Sequence, residues 1–398
     1  MKLTAFLLLL PLMLISCNRS GTRKDKNDET NLPYHIDLTK SPPRDLFLSD
    51  FAAEVNYIRL ESNTIIVGGW CTVKAGRDCF IIDDHAQEFL AFSRNGTFLN
   101  KIGMKGKGPM EYPATTPFYQ IDPKNNEVSV PFNDKEVNTY SIQGQFLRHI
   151  KLPEFRPNAF LLANSRFYVS RKEAPTDRYI PLEEYLSDGT KFREYSFRLP
   201  NSDKIPDSSP LTELSITPHN DVIVNITSGD TTFLATAGGD WKPYIVYNRG
   251  AGKITLEETF AGVFRNSSPD NYYTVFLKDL GEVLVMVTCH GKDSYFSFFK
   301  KTTGEFFRFN NTNPSEGAKS FSIQNDLDGG PGLLYHHSIS GRFLYCVHQA
   351  IDLIEWKKSG YFDRVEPKFP EKKQKLFAMI DSLKQDDNPV IMIVKLKE

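Results

Sequence analysis

Few residues in this chain come in patterns that could do chemistry. His85, His290 and His348 each follow an apolar run, in IIDDHA, MVTCHG and YCVHQA. Imidazoles that converge can bind a metal. Equivalent turns of a repeated fold are spread around a rim, so these three are expected to be polar turn residues. His336 and His337 fall on the apolar stretch 333–339. Alternation along a strand turns only one of them to a given side. A divalent metal held by His219 and His337 is the arrangement to test, although no third ligand is in view. Lys74 and Lys278 are the other ionisable candidates for such a centre.

Residues 103–112 read GMKGKGPMEY. Gly103, Gly106 and Gly108 could form a backbone nest for an anion, with Lys105 and Lys107 adding charge. A phosphate loop needs a helix after it, and Tyr112-Pro113 leads into a strand pattern. The loop therefore reads as a tight crossing between strands, with Glu111 and Tyr112 at the mouth of a channel. Asp326 and Asp328 have the spacing of a calcium-loop start, but no glutamate stands at its twelfth position and Pro331 follows its glycines, so a turn is expected. Asp83 and Asp84 are neighbours on a strand, face opposite ways and cannot work as an acid/base pair. No G-x-S-x-G occurs. No catalytic residue and no resident cofactor is assigned; the ligand-binding candidates are Lys105, Lys107, Glu111, Tyr112, His219 and His337.

The elements that must position these residues are short strands. Residues 79–103 read as three antiparallel strands, with a turn at Arg94-Asn95-Gly96 whose Asn-Gly favours positive φ. Adding 48 maps Phe92 onto Tyr140, Gly96 onto Gly144, Phe98-Leu99 onto Phe146-Leu147 and Ile102 onto Ile150. A repeat of this length, all strand and turn, points to a propeller blade. The pattern extends through six blades, the third irregular, with an excursion from Ser170 to Phe192. Residues 371–385 carry an apolar helical stripe. The lone strand pattern 54–61 and the final strand 390–396 are expected to complete blade six and so close the ring. The fold class is all-β: a six-bladed propeller of four-stranded antiparallel blades, closed by the N- and C-terminal strands, with one short C-terminal helix.

The chain has 398 residues and a net charge of −1, from 48 basic and 49 acidic side chains. No half is strongly basic, which excludes phosphate-backbone recognition as a driving force, and no nucleic acid is expected. Residues 1–17 read as a signal segment: Lys2, then an apolar run from Leu3 to Ile15, too short to span a membrane. Leu14-Ile15-Ser16-Cys17 resembles a bacterial lipobox, which makes Cys17 the lipidation site and implies an anchor in the cell envelope. Asn18 after the cysteine argues against inner-membrane retention, so the outer membrane is expected, facing the periplasm or the exterior. Residues 18–49 read as a flexible tether and 50–398 as the propeller. Cys71 and Cys79 flank a turn and could share a face, or Cys71 could pair with Ile82, so a disulfide between them stays open. Cys289 and Cys346 read as buried thiols.

Three stretches carry a family resemblance: residues 103–112, the segment NDLDGG at 325–330, and Asp387-Asn388-Pro389-Val390. Together they resemble the six-bladed propeller lipoproteins of Bacteroidetes, which are similar to NHL-repeat propellers. Met110 stands where that pattern has glycine. The resemblance implies fold and export class, and no shared activity. The expected function is a monomeric envelope lipoprotein whose propeller serves as a binding or scaffold module for a glycan, peptide or partner protein. Tyr112, Tyr119, Tyr272 and Tyr273 would stack on a sugar or a partner if exposed; packing against strands is the preferred reading. The alternative is a metal-dependent lyase or hydrolase at the channel mouth.

Overall fold

A computed structural model describes residues 32–85, 88–116, 118–171, 179–197, 212–227, 229–252, 270–291, 293–309, 322–334 and 337–397. Cys17, the signal segment, the tether up to Asn31 and His336 lie outside them. Six small antiparallel sheets are arranged as a propeller. Blade 1 is Cys71–Ala75, Cys79–Asp84, Glu88–Ser93 and Phe98–Ile102. Blade 2 is Gln120–Asp122, Glu127–Pro131, Glu136–Ser141 and Phe146–Lys151. Blade 3 is Phe155–Ala163, Arg166–Arg171, Tyr179–Tyr185 and Lys191–Phe197. Blade 4 is Thr212–Ile216, Val222–Ile226, Thr231–Ala235 and Trp241–Asn248. Blade 5 is Tyr272–Asp279, Val283–His290, Asp293–Lys300 and Glu305–Phe309. Blade 6 is Ser338–Ser340, Phe343–His348, Val390–Leu396 and Ala52–Arg59.

The closure predicted from the chain ends is present. Val390 to Leu396 pairs with Arg59 to Ala52 on one side and with His348 to Phe343 on the other. An edge at either terminus would leave a row of unpaired N–H and C=O groups; joining them in one sheet removes it.

The 48-residue repeat is a repeat of physics as well as of letters. Gly96 and Gly144 have φ of 90° and 89°, and a Cβ there would lie 2.0 Å from Arg59 O and 2.2 Å from Lys101 O. Each turn carbonyl also accepts an N–H from the preceding blade, Glu61 N to Gly96 O at 2.8 Å and Gly103 N to Gly144 O at 3.1 Å. Only glycine lets the turn pack this closely onto its neighbour. The turn differs from the expected one in a detail: Gly96 has positive φ and Asn95 does not.

Apolar side chains from facing blades make the core. Ile81, Phe89, Val128, Val130 and Tyr140 fill the seam between blades 1 and 2, and Phe80, Phe92, Tyr345 and Ile391 that between blades 6 and 1. Each such side chain fully removed from water contributes roughly 1.5–3 kcal/mol.

Three expectations are corrected. The tether ends sooner than residue 49: Tyr34–Asp37 pairs in parallel with Trp241–Asn248, and Pro43–Arg44 with Glu305–Phe309, giving blades 4 and 5 a fifth strand. Leu46 and Leu48 are buried, so this segment has enough apolar surface to order itself. Blade 3 has a strand, Tyr179–Tyr185, where an excursion was expected; its adjacent Glu183 and Glu184 read as loop, but both carboxylates are buried against Arg166, Arg171, Lys191 and tyrosine hydroxyls. The expected helix is present as Pro370–Asp381, but a second, Ala350–Lys358, precedes it, and both are inserted between the second and third strands of blade 6.

Antiparallel alternation fixes what each face carries. The crossings from outer to inner strands and the turns between second and third strands share one face, which therefore holds the 103–119 loop and both helices. The opposite face holds tight turns, including those at Gly96, Gly144 and Gly304.

Candidate functional site

The glycine loop is a self-tied knot. Gly106 N donates to Tyr112 O at 3.0 Å, Tyr112 N to Met104 O at 3.0 Å, and Gly108 N to the Glu111 carboxylate at 2.7 Å. A Cβ on Gly106 would lie 1.8 Å from that carboxylate. The N–H groups an anion nest would need are therefore already used. Lys105 and Lys107 are exposed on the rim of the loop. Tyr112, expected at the channel mouth, is instead buried between blades 1 and 2, edge-on to Phe89 at 5.1 Å. Met110 has no positive φ, so the glycine of the family pattern is not needed there.

The other two motifs are fasteners as well. The Asp326 carboxylate accepts Ser49 N at 2.9 Å, while Asp328 Oδ1 accepts Gly330 N, Asn325 Nδ2 and Tyr57 OH. Backbone bonds from Lys368 and Phe369 to Asp326 and Leu327 dock the second helix on the same segment. Asn388, buried, accepts Val67 N at 2.7 Å and donates to Glu61 O and Ile65 O. These motifs hold the closure seam together.

The loop-bearing face exposes apolar side chains. Trp70 is 79% exposed, and Ile66, Met104 and Met110 are each about as open at 60–62%. Phe118 and Ile351 are also exposed there. His85 lies 6.5 Å from the Trp70 ring, and Gln349 at the start of the first helix donates to Gly69 O at 3.0 Å. Tyr119 packs against the strands, fully buried, and donates to Ile81 O; Tyr272 is half-buried and stacks on His290 at 4.1 Å.

A second site lies along the inner strands. Lys74 of blade 1, Glu213 of blade 4 and Lys278 of blade 5 are half-buried on the innermost strands, and Lys278 feels the charge of Glu213 and is felt by Lys74. They line the channel. Lys74 Nζ donates to Tyr119 O and sits 4.7 Å from the centre of its ring. Lys278 Nζ donates to His337 O at 3.0 Å. Blade 5 bulges between Val275 and Lys278, with Phe276 at φ 55°, and Glu213 accepts the freed Leu277 N–H at 3.2 Å. Burial pulls the Lys74 ammonium down to about 7; Asp83 opposes this and Lys278 adds to it. Burial likewise brings Lys278 down to about 8 against the pull of Glu213, and raises Glu213 to about 7. Three groups poised near neutrality in one enclosed space is what proton-transfer chemistry needs.

The structure does not bring His219 and His337 together. His219 is exposed in the turn after the inner strand of blade 4, whereas His337 is buried, its Nδ1 2.8 Å from Leu334 O. The stretch 333–339 is also divided: Leu333–Leu334 pairs with Ser322–Ile323 outside the blades, and only Ser338–Ser340 joins blade 6. Among the described residues no three His, Cys, Asp or Glu side chains converge. Cys71 and Cys79 are free thiols; Cys71 faces Asp84 and Cys79 faces Ser93. His348 is not a polar turn residue but a buried strand residue. Glu213 was not anticipated; the alternation of TELSI turns it away from Leu214, a signal too short to stand out.

Residues 33–395 match the family described as Domain of unknown function (DUF4934). A crystal structure of a candidate exported protein from Bacteroides fragilis NCTC 9343 is similar over 92% of this chain and 99% of its own, with a TM-score of 0.61 and 16% identity. A DUF4221 member from Bacteroides vulgatus is 10% identical over 87% and 97% of the two chains, with a TM-score of 0.47. A streptogramin B lyase is 14% identical over 66% and 74%, with a TM-score of 0.37, a likeness too distant to bear on function. No curated protein matches.

Proposed function

The chain belongs to the DUF4934 family, and from that premise we propose an envelope lipoprotein whose propeller binds a glycan, peptide or partner protein through its loop-bearing face. One observation carries this reading: Trp70, Ile66, Met104, Met110, Phe118 and Ile351 are exposed where the chain crosses into the inner strands or out to the helices. Exposed apolar side chains gathered on one face of a soluble fold mark binding surfaces, and an indole is well suited to stacking on a sugar ring or anchoring a peptide. The lipobox and the resemblance to Bacteroidetes propeller lipoproteins support anchoring through Cys17 in the outer membrane. No transmembrane helix occurs among the described residues.

The test uses the full processed protein against arrays of bacterial polysaccharides and of envelope peptides. Trp70→Ala should weaken any ligand found by about tenfold or more and leave the melting temperature unchanged. A ligand indifferent to Trp70 and Met104 would sink the reading. Cys17→Ala should move the protein from the membrane fraction to the soluble one; retention in the membrane would remove the anchor.

The second reading is a lyase or hydrolase at the channel. Its support is the neutral-range Lys74, Glu213 and Lys278 on inner strands. Metal analysis and a Glu213→Gln variant test it: turnover that survives Glu213→Gln removes the channel from consideration.

A further inference from the structure

Blade 6 holds a set of side chains that neither reading uses. Cys346 and His348 are two apart on the second strand and so share a face. Met392, on the closing strand, is the direct cross-strand partner of Cys346. Cys346 Sγ lies 3.6 Å from His348 Nε2 and 3.8 Å from Met392 Sδ. All three are almost fully buried. His348 Nε2 donates to the Cys346 sulfur or accepts its proton according to its tautomer, whereas Met392 Sδ can only accept.

We propose that Cys346, His348 and Met392 form a monovalent copper site that staples the closure seam of the propeller. The spacing fits. With bonds of about 2.3 Å to sulfur and about 2.0 Å to nitrogen at angles of roughly 110–120°, ligands stand about 3.5–3.8 Å apart for S and N, and about 3.8–4.0 Å for two sulfurs. The ligand types fit as well: thiolate and thioether are soft and select Cu(I), and imidazole accepts it. So does the charge. Cu(I) with one thiolate and two neutral ligands is neutral overall, whereas a divalent ion would leave a net positive charge buried, which a desolvated seam disfavours.

On binding, the S–H bond breaks, a Cu–S bond forms and the proton leaves to solvent; no electron is transferred. The ring of Trp356, 5.9 Å from His348 and edge-on, fences the site on the helix side and offers a fluorescence reporter.

The experiment titrates the full processed protein, metal-free and reduced, with Cu(I) under anaerobic competition with bicinchoninate. Wild type should take one equivalent, show a thiolate-to-copper charge-transfer band, lose Trp356 fluorescence and melt at a higher temperature with copper than without, because the ion binds the folded state alone. Cys346→Ser should lose the equivalent, and His348→Asn should weaken it by tenfold or more. Met392→Leu conserves core volume and should do the same with the fold intact by circular dichroism. Four results would overturn the proposal: no more copper in wild type than in Cys346→Ser; affinity unchanged in Met392→Leu and His348→Asn; an equivalent lost instead in Cys71→Ser; or zinc taken in preference to Cu(I).

Discussion

The glycine loop at 103–112 and the channel lined by Lys74, Glu213 and Lys278 make opposite use of polar groups. In the loop, donors and acceptors satisfy one another locally, Glu111 folding back onto Gly106 and Gly108, and the result is a rigid crossing. In the channel, charged groups from three different blades are held away from bulk water, and their protonation is driven toward neutrality. The motif that looked chemical is structural, and the residues with chemical character belong to no motif. A motif is visible when its members are near in sequence, and local satisfaction needs nearness. A channel site needs only nearness in space.

That contrast can be broken at either end. The largest effect is expected at Asn388, where alanine would leave three buried partners on Glu61, Ile65 and Val67 unmet. Stability should fall by about 3 kcal/mol, read as a shift of the urea midpoint; a loss below about 1 kcal/mol would mean the motif is not a fastener. Gly106→Ala should lose about 1–2 kcal/mol by expelling the Glu111 carboxylate from its N–H partner. If instead it leaves stability untouched, the loop is not tied in the way described.

At the channel the sign reverses. Replacing a desolvated charge by an apolar group of similar shape is often neutral or stabilising, so Lys74→Met should be stable to within about 1 kcal/mol of wild type or better. The pH dependence sharpens this. Below pH 7 Lys74 is charged both folded and unfolded, and the burial penalty is complete; above 10.5 it is neutral in both states. Wild type should therefore gain stability relative to Lys74→Met as pH rises from about 7 to 10.5. Glu213 behaves in the opposite sense: its ordinary value is 4.5 and its folded value about 7, so wild type should lose stability relative to Glu213→Gln as pH rises from 4.5 to 7. Parallel denaturation curves at pH 5, 7 and 9 check both, and flat differences would show the channel to be fully solvated. The smallest effect on stability belongs to Trp70→Ala, within about 0.5 kcal/mol for so exposed a side chain; a larger loss would make Trp70 part of the fold rather than of a binding face.

Much of the architecture was legible because the blades repeat. Phe92 and Tyr140, Gly96 and Gly144, Ile102 and Ile150 lie 48 apart in sequence and occupy matching strands and turns. The strand Tyr179–Tyr185 was not legible, since two adjacent glutamates and a proline look like a loop until two arginines of the neighbouring strand Arg166–Arg171 neutralise the carboxylates. His348 looked like its counterparts His85 and His290, yet the helix inserted after it covers it. Packing was the preferred reading for Tyr112 and Tyr119, but nothing in their own stretch shows which seam encloses them.

By itself the sequence determined the blade repeat, the pairing of the chain ends and the turns that need glycine, since each depends on the period of the strand or on backbone freedom at one residue. Only the tertiary structure decided which ionisable groups share the channel and which aromatics are hidden. Those outcomes depend on contacts between different strands and blades, whose distances and dielectric surroundings have no local signature.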